Sequence, residues 1–294
     1  MDKVQIWLIK IINHLFPQPS NLGELALAKT RISTYQDWER TEAERICPEF
    51  GDQWNLEGKH VLDIGSGLGG KTQYYASLEP ETLLGIDLRL YSLQQAHAIH
   101  EQNESTGLIF VQGDAVQLPV VDNYFDVIVS VNVFEHVEDL RGTLLECRRV
   151  LKPNGIIFLH FPPFYSPWGA HLEGWINFPW PHVFFSDKTL ISAAQQIEDE
   201  LHHNQNLIPT AQVNWKEFTE LPELNRITVR EFFFLVSDVG FNIVSTSMLP
   251  FGRHYLLRYG IPGKIVLAGL NSLVRIPLIQ EYITTKMVFL LTKS

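Results

Sequence analysis

The residues with the most chemical content are Asp63-Ile-Gly65-Ser-Gly67-Leu-Gly69-Gly70, directly after the apolar run His60–Ile64. Glycines at this spacing let a chain turn sharply from strand to helix. They also bring backbone N–H groups close to a ligand without interference from Cβ. Read as Gly65-x-Gly67-x-x-Gly70, the turn fits a dinucleotide site, with Asp87 about twenty residues on to bind a ribose diol. Read as Asp63-x-Gly65-x-Gly67-x-Gly69, it is a different fingerprint with a carboxylate beside the ligand. That carboxylate would repel a pyrophosphate and attract ammonium or sulfonium charge. The glycines alone leave both readings open.

The elements that must position this turn follow from the texture of the chain. From His60 onward, short apolar runs alternate with helix-like stretches, as a parallel sheet with crossover helices requires. Strands are predicted at His60–Ile64, Thr82–Asp87, Leu108–Gln112, Phe125–Ser130 and Gly155–His160. Helices are predicted from near Gly70, over Ser92–Gln102, and from about Leu140 to Leu151, where Lys152-Pro-Asn-Gly155 supplies a breaker and a turn. The alternation then lapses for about eighty residues. It resumes with a helix over Val229–Val239, Gly240 as its terminator, a strand at Phe241–Thr246 and a last strand at Thr284–Thr292. A helix over Gly263–Val274 lies between these two strands. Residues 1–58 read as mostly helical, with segments at Glu24–Lys29 and Asp37–Ile46.

Taken together, Val61-Leu-Asp-Ile-Gly-Ser-Gly-Leu-Gly-Gly70, Leu84-Gly-Ile-Asp87, Gly113-Asp-Ala115, Phe125-Asp-Val-Ile-Val-Ser130 and Arg148-Arg-Val-Leu-Lys-Pro-Asn-Gly155 form an ordered set. This set resembles the class I S-adenosylmethionine-dependent methyltransferases over roughly Gly58 to Phe161 plus the terminal strands. The resemblance implies an α/β, Rossmann-like sheet, mostly parallel with an antiparallel last strand, with helices on both faces. An added helical and aromatic lid completes it. The implied cofactor is S-adenosylmethionine, leaving as S-adenosylhomocysteine. Asp63 and the turn at Gly65, Gly67 and Gly69 would face its methionine and ribose part, and Asp87 the ribose hydroxyls. Leu88 would pack on the adenine, Asp114 and Ala115 would meet its edge, and Asn132 would lie at the methionine end. A nicotinamide-dependent oxidoreductase using the same turn, and a protein that binds the cofactor without turnover, are the alternatives.

The cofactor's methyl sits on a cationic sulfur, so the protein mainly supplies alignment, with a base only where the acceptor must lose a proton. Nine of the 34 aromatic residues fall within Phe161–Phe185. With prolines and histidines interspersed, this stretch suits a walled pocket for an apolar or ring-containing small-molecule acceptor, with oxygen favoured over carbon or nitrogen. A hydrophobic lid packed on the sheet is the plainer reading. His171 and His182 are the preferred base candidates and His136 the third. His160, His171 and His182 match no local metal-ligand spacing, so no metal is expected. Phe161-Pro-Pro-Phe164 imitates the motif of methylases acting on nucleic-acid bases, but it follows the fifth strand rather than the fourth. Phe251–Tyr255 is a second candidate for the acceptor mouth, and Tyr35 and Trp38 could close over the site.

Composition narrows the partners. The chain has 294 residues and a net charge of −10, with no long Lys/Arg run. Nucleic acid is therefore not an expected partner. Two cysteines, Cys47 and Cys147, lie far apart and read as neither a disulfide framework nor a zinc site, which fits a cytoplasmic protein. No unbroken apolar run reaches the ~18 residues of a membrane span. At the N-terminus, Val4, Leu8, Ile11, Ile12 and Leu15 share a helical face that Ile6, Trp7 and Ile9 widen well beyond one stripe, and the helix is read as docked on the protein in preference to a membrane surface. A lipid-linked acceptor, with the protein peripheral to a membrane, is thus the less favoured reading. The expected organisation is a helical cap (1–58), a cofactor-binding core (59–161), an acceptor-binding insertion (162–227) and a C-terminal completion of the sheet (228–294). That last part would carry an inserted segment at about 250–281.

Overall fold

A computed structural model describes residues 2–16, 32–103, 107–203, 221, 224–253, 256 and 260–293. Within these, helices α1 (Asp2–Leu15) and α2 (Ile32–Ile46) precede the sheet. Strand β1 (His60–Ile64) leads into α3 (Gly70–Ala76), then β2 (Thr82–Asp87), α4 (Leu90–Asn103) and β3 (Leu108–Gln112). Strand β4 (Phe125–Val131), α5 (Leu140–Val150) and β5 (Leu151–Phe161) complete the parallel part. The short α6 (Pro181–Phe184) and α7 (Asp187–His203) follow. Helix α8 (Val229–Val239), β6 (Phe241–Pro250), α9 (Gly260–Leu273), α10 (Pro277–Ile283) and β7 (Thr284–Lys293) end the chain. The expected segment at Glu24–Lys29 lies outside the described residues.

The seven strands form one sheet in the order β3-β2-β1-β4-β5-β7-β6. Strands β1 to β5 pair in parallel, and β7 runs antiparallel to both β5 and β6. Runs such as Val61-Leu62 and Val127-Ile128-Val129 are buried on both faces, which explains their unbroken apolar sequence. One face of the sheet packs Leu62, Ile64 and Ile128 against Leu144 of α5 and Phe232 and Val236 of α8. The other packs Val61, Val127 and Val129 against Ile46 of α2, Tyr75 of α3 and Ala96 of α4. Both cysteines are buried and unpaired, and burial pushes the Cys147 thiol up to about 12.

The caps obey local chemistry. Thr228 and Glu231 form a capping box on α8, and Gly240 ends that helix in the left-handed conformation. Asp126 takes the His60 N–H and both its oxygens take Lys152 Nζ, so it braces the far end of the strands. The Lys152-Pro-Asn-Gly155 stretch corrects one expectation. It does not precede β5 but lies inside it as a bulge, where the register jumps from Phe125↔Leu151 to Val127↔Ile156.

Helix α1 docks on the insertion through Ile6 and Ile9, which share a third core with Phe164, Ile176, Phe178 and Leu190. Lys10 Nζ reaches Glu200 at 2.7 Å, and Asn13 Nδ2 donates to the Trp175 carbonyl. Val4, Leu8, Ile11 and Leu15 face outward instead. Among the described residues, no helix is long and apolar enough to cross a membrane.

Candidate active site

The carboxyl ends of β1, β2, β3 and β4 lie side by side, the edge at which open α/β sheets bind ligands. The glycine turn crosses this edge. Gly65 and Ser66 donate their N–H groups to the Ile86 carbonyl at 2.8 and 3.0 Å, which holds the turn down on β2. Gly65 has φ +77°, and a Cβ there would stand 2.2 Å from Val133 Cγ2. Gly67 differs: a Cβ on it would meet nothing, so the tip of the turn faces open space.

Asp87 fixes that tip. Its Oδ2 accepts from Gly67 N at 2.9 Å and its Oδ1 from Arg89 N at 2.8 Å. Each carboxylate oxygen retains acceptor capacity, so the half-buried carboxylate suits a ribose diol. Asp63 stands differently from the other cofactor candidates. It is 2% exposed, and its Oδ2 takes the Thr72 hydroxyl at 2.6 Å, bracing α3 from beneath the turn. Burial pushes its carboxyl up to about 7, partly offset by Thr72 and by Lys71. Leu88 is exposed, and Gln112 Nε2 donates to its carbonyl. Asp114 is exposed and caps its own loop through Val116 N, and Ala115 is half-buried beside it.

Helix α2 closes over the turn. Gly70 lets it approach so near that a Cβ would lie 2.5 Å from the Gln36 carbonyl. Gln36 donates to the Leu68 carbonyl, and Glu39 pairs with Lys71 Nζ at 2.6 Å. Burial works against the Lys71 ammonium, but Glu39 together with Tyr35 and Asp63 outweighs it, and its pKa stands above the ordinary lysine value. Tyr35 and Trp38 stack on one another at 5.6 Å. The tyrosine hydroxyl is held protonated by burial and by Glu39.

A second group of side chains gathers past β4. Asn132 adopts φ +57°, donates its N–H to the His160 carbonyl and accepts Lys286 Nζ at 2.5 Å through Oδ1. Glu135 is buried, with neither oxygen hydrogen-bonded among the described residues. Burial raises its pKa, opposed by Lys286 and His136. His136 Nε2 lies 4.0 Å from Glu135 Oε1, and its ring meets His171 edge-on at 5.1 Å. His171 itself has φ +53°, a conformation rare outside glycine and concentrated at functional sites. Glu135, His171, Pro163 and Phe164 line a narrow cavity closed by Asn225 and Ile227.

The three histidines singled out for base chemistry therefore separate. His136 and His171 come together, whereas His182 packs edge-on to Phe164 at 4.9 Å and over Tyr165. Burial lowers the His182 pKa to about 4. The group of potential ligand atoms among the described residues is instead Glu135, His136 and His171, which lie within 4.8 Å of one another and were not read together from the sequence. Lys286 already supplies positive charge to Glu135, so the donor set reads as an acid–base cluster. Much of the aromatic stretch is core rather than wall. Phe161 packs on Phe134 and Phe232, and Phe178 on Phe16 and Phe185. Trp168 and Trp180 instead approach Phe251, joining the insertion to the segment after β6.

Lys286 and the Gln36–Glu39–Lys71 group escaped sequence reasoning. The signal for Lys286 was a charge among the first residues of an otherwise apolar last strand. Because that strand is reversed, its beginning lies at the ligand edge.

The sheet order, with β7 reversed between β5 and β6, departs from the 3-2-1-4-5-6 order of dinucleotide-binding folds. It is the class I methyltransferase arrangement. Residues 62–159, about a third of the chain, match the family model of a methyltransferase domain. That segment is similar to methyltransferase domains, and the fold is that of class I S-adenosylmethionine-dependent methyltransferases. Over 101 residues it is 37% identical to a sterol 24-C-methyltransferase of Gibberella zeae, covering 34% of this chain and 26% of that protein. Over 104 residues it is 38% identical to a fatty-acid O-methyltransferase of Mycolicibacterium smegmatis, covering 35% and 37%. The matched segment thus spans about a quarter to just over a third of these relatives. An S-adenosylmethionine-dependent methyltransferase from Mesorhizobium loti superposes with a TM-score of 0.52 at 15% identity, covering 90% of this chain and 100% of that one. At that identity the likeness establishes the fold.

Proposed function

We propose that the protein transfers a methyl group from S-adenosylmethionine to a small apolar or ring-containing acceptor, at an oxygen atom. The observation that carries the cofactor reading is the glycine turn pinned by Asp87, with its tip open at the carboxyl edge of the sheet. Asp87 would hold the ribose hydroxyls, Leu88, Asp114 and Ala115 the adenine, and Asn132 the methionine end. The buried Asp63 carboxylate contributes its negative field from beneath the turn. When bound, the cofactor supplies an electrophilic methyl on a sulfonium, which leaves as a neutral thioether.

The paired His136 and His171 rings support oxygen as the target. A hydroxyl must lose its proton as the new C–O bond forms, and one imidazole takes that proton while the C–S electron pair stays on sulfur. Buried Glu135 favours the resulting imidazolium. Pro162, Pro163 and Phe164, which line the cavity, exclude water and favour an apolar acceptor. Relatives that are named for sterol and fatty-acid methylation support the same acceptor class. The test is incubation with methyl-labelled cofactor and a lipid extract. Label in an ether or ester product, absent without enzyme, supports the reading. Label only in C- or N-methylated products, or in none, overturns it.

A further inference from the structure

We propose that the helical segment α9–α10 docks the protein onto an anionic lipid bilayer. Helix α9 buries Gly263 and Leu267 on one side, and Val274 just beyond its end is buried too. Its other side leaves Ile261 and Ile265 74% and 68% exposed, and Leu278 of α10 is 85% exposed. Apart from Lys264, Asn271 and Ser272 the helix is built of apolar residues and glycine, and it is covered on one side only. At 14 residues it is too short to span a bilayer, which leaves the interface plane.

Charge selects the occupant. The chain carries −10, yet residues 239–280 contain no Asp or Glu and hold Arg253, Arg258, Lys264 and Arg275. Arg253 is engaged by Glu49, whereas Lys264 and Arg275 stand exposed on the apolar segment itself. A second copy of the chain would set like charges against each other across a two-fold axis. A negatively charged headgroup layer matches both the apolar side chains and the cations.

The face is also continuous with the presumed acceptor side. Trp180 Nε1 donates to the Tyr282 carbonyl at 2.7 Å, and the Tyr165 ring lies 5.7 Å from Tyr282. A docked α9–α10 would therefore set the aromatic insertion against the bilayer, where an apolar acceptor resides. The docking claim itself is independent of methyl transfer, since membrane binding is read without cofactor.

The test is co-sedimentation of the purified chain with vesicles of phosphatidylcholine alone and of phosphatidylcholine with 30% phosphatidylglycerol. Binding is expected to the mixed vesicles, weakening as salt is raised. The double variant Ile265→Asp, Leu278→Asp should lose roughly tenfold or more of that binding, and Lys264→Glu, Arg275→Glu should abolish the preference for anionic lipid. Ile109→Asp, at an exposed position on the far edge strand β3, serves as the control and should bind as the parent does. Unchanged circular dichroism establishes that the variants fold. Absence of vesicle binding by the parent, or equal binding by parent and double variant, overturns the proposal. So does a dimer, seen by light scattering, that the double variant dissociates.

Discussion

The two sides of the candidate site are built differently. The cofactor side consists of backbone N–H groups and short carboxylates at strand ends. Each is held by a near neighbour, Gly65 by Ile86 and Gly67 by Asp87 of β2, and Asp63 by Thr72 of α3. The proposed acceptor side consists of side chains from distant segments: Glu135 and His136 after β4, His171 from the insertion and Lys286 from the last strand. The first is a local consequence of the β1–turn–α3 unit and the strand β2 that follows it. The second exists only once residues up to 154 positions apart have packed. A shared cofactor needs a repeated cradle, whereas an acceptor needs a pocket particular to its shape.

That contrast yields separable outcomes. Replacing both His136 and His171 by Gln should lower turnover by about 10²–10⁴-fold, the usual contribution of a positioned base, with cofactor affinity unchanged. A parallel loss of cofactor affinity would erase the division between the two sides. Gly65→Ala forces a Cβ against Val133 at φ +77° and should destabilise the fold by about 2–4 kcal/mol in urea unfolding. Adding Val133→Ala should restore the packing part only. Asp87→Ala removes the diol acceptor and frees the Gly67 and Arg89 N–H groups. It should weaken cofactor binding by about 1–3 kcal/mol and leave the acceptor side intact.

The smallest effect is a pH dependence. The Asp63 carboxyl stands at about 7 in the free protein because it is buried. A sulfonium and an ammonium nearby favour its ionised form, so binding must expel any proton that it carries below that pH. Cofactor affinity should therefore rise with pH through about 7 and level off above it. Asp63→Asn should flatten the profile, as calorimetric titration between pH 6 and 8 would reveal.

Legibility in the sequence followed the same division. Strands β1, β2 and β3 fall where the apolar runs and their glycine boundaries put them. Buried parallel strands must be apolar on both faces, and the turn between strand and helix admits few residues besides glycine. Helix α7 was not legible, because the partner for its Leu190 and Ala194 is α1, from the other end of the chain. For the same reason the wide apolar surface of α1 did not say which residues dock: Ile6 and Ile9 are buried, and Val4, Leu8, Ile11 and Leu15 lie outward. Periodicity identifies an apolar face but not what covers it. His136 and His171 were legible as residue types, and their approach to one another was not. Lys286 was hidden because its place at the ligand edge depends on the reversal of β7, a property of topology rather than of local pattern.

The central claim is that this edge of the sheet binds S-adenosylmethionine through Asp87 and the glycine turn. Isothermal titration of the full chain with S-adenosylmethionine, S-adenosylhomocysteine and NAD tests it most directly. Binding of the first two, weakened in Asp87→Ala, with no heat from NAD, is the predicted result. Binding of NAD alone, or S-adenosylmethionine affinity indifferent to Asp87, would contradict it.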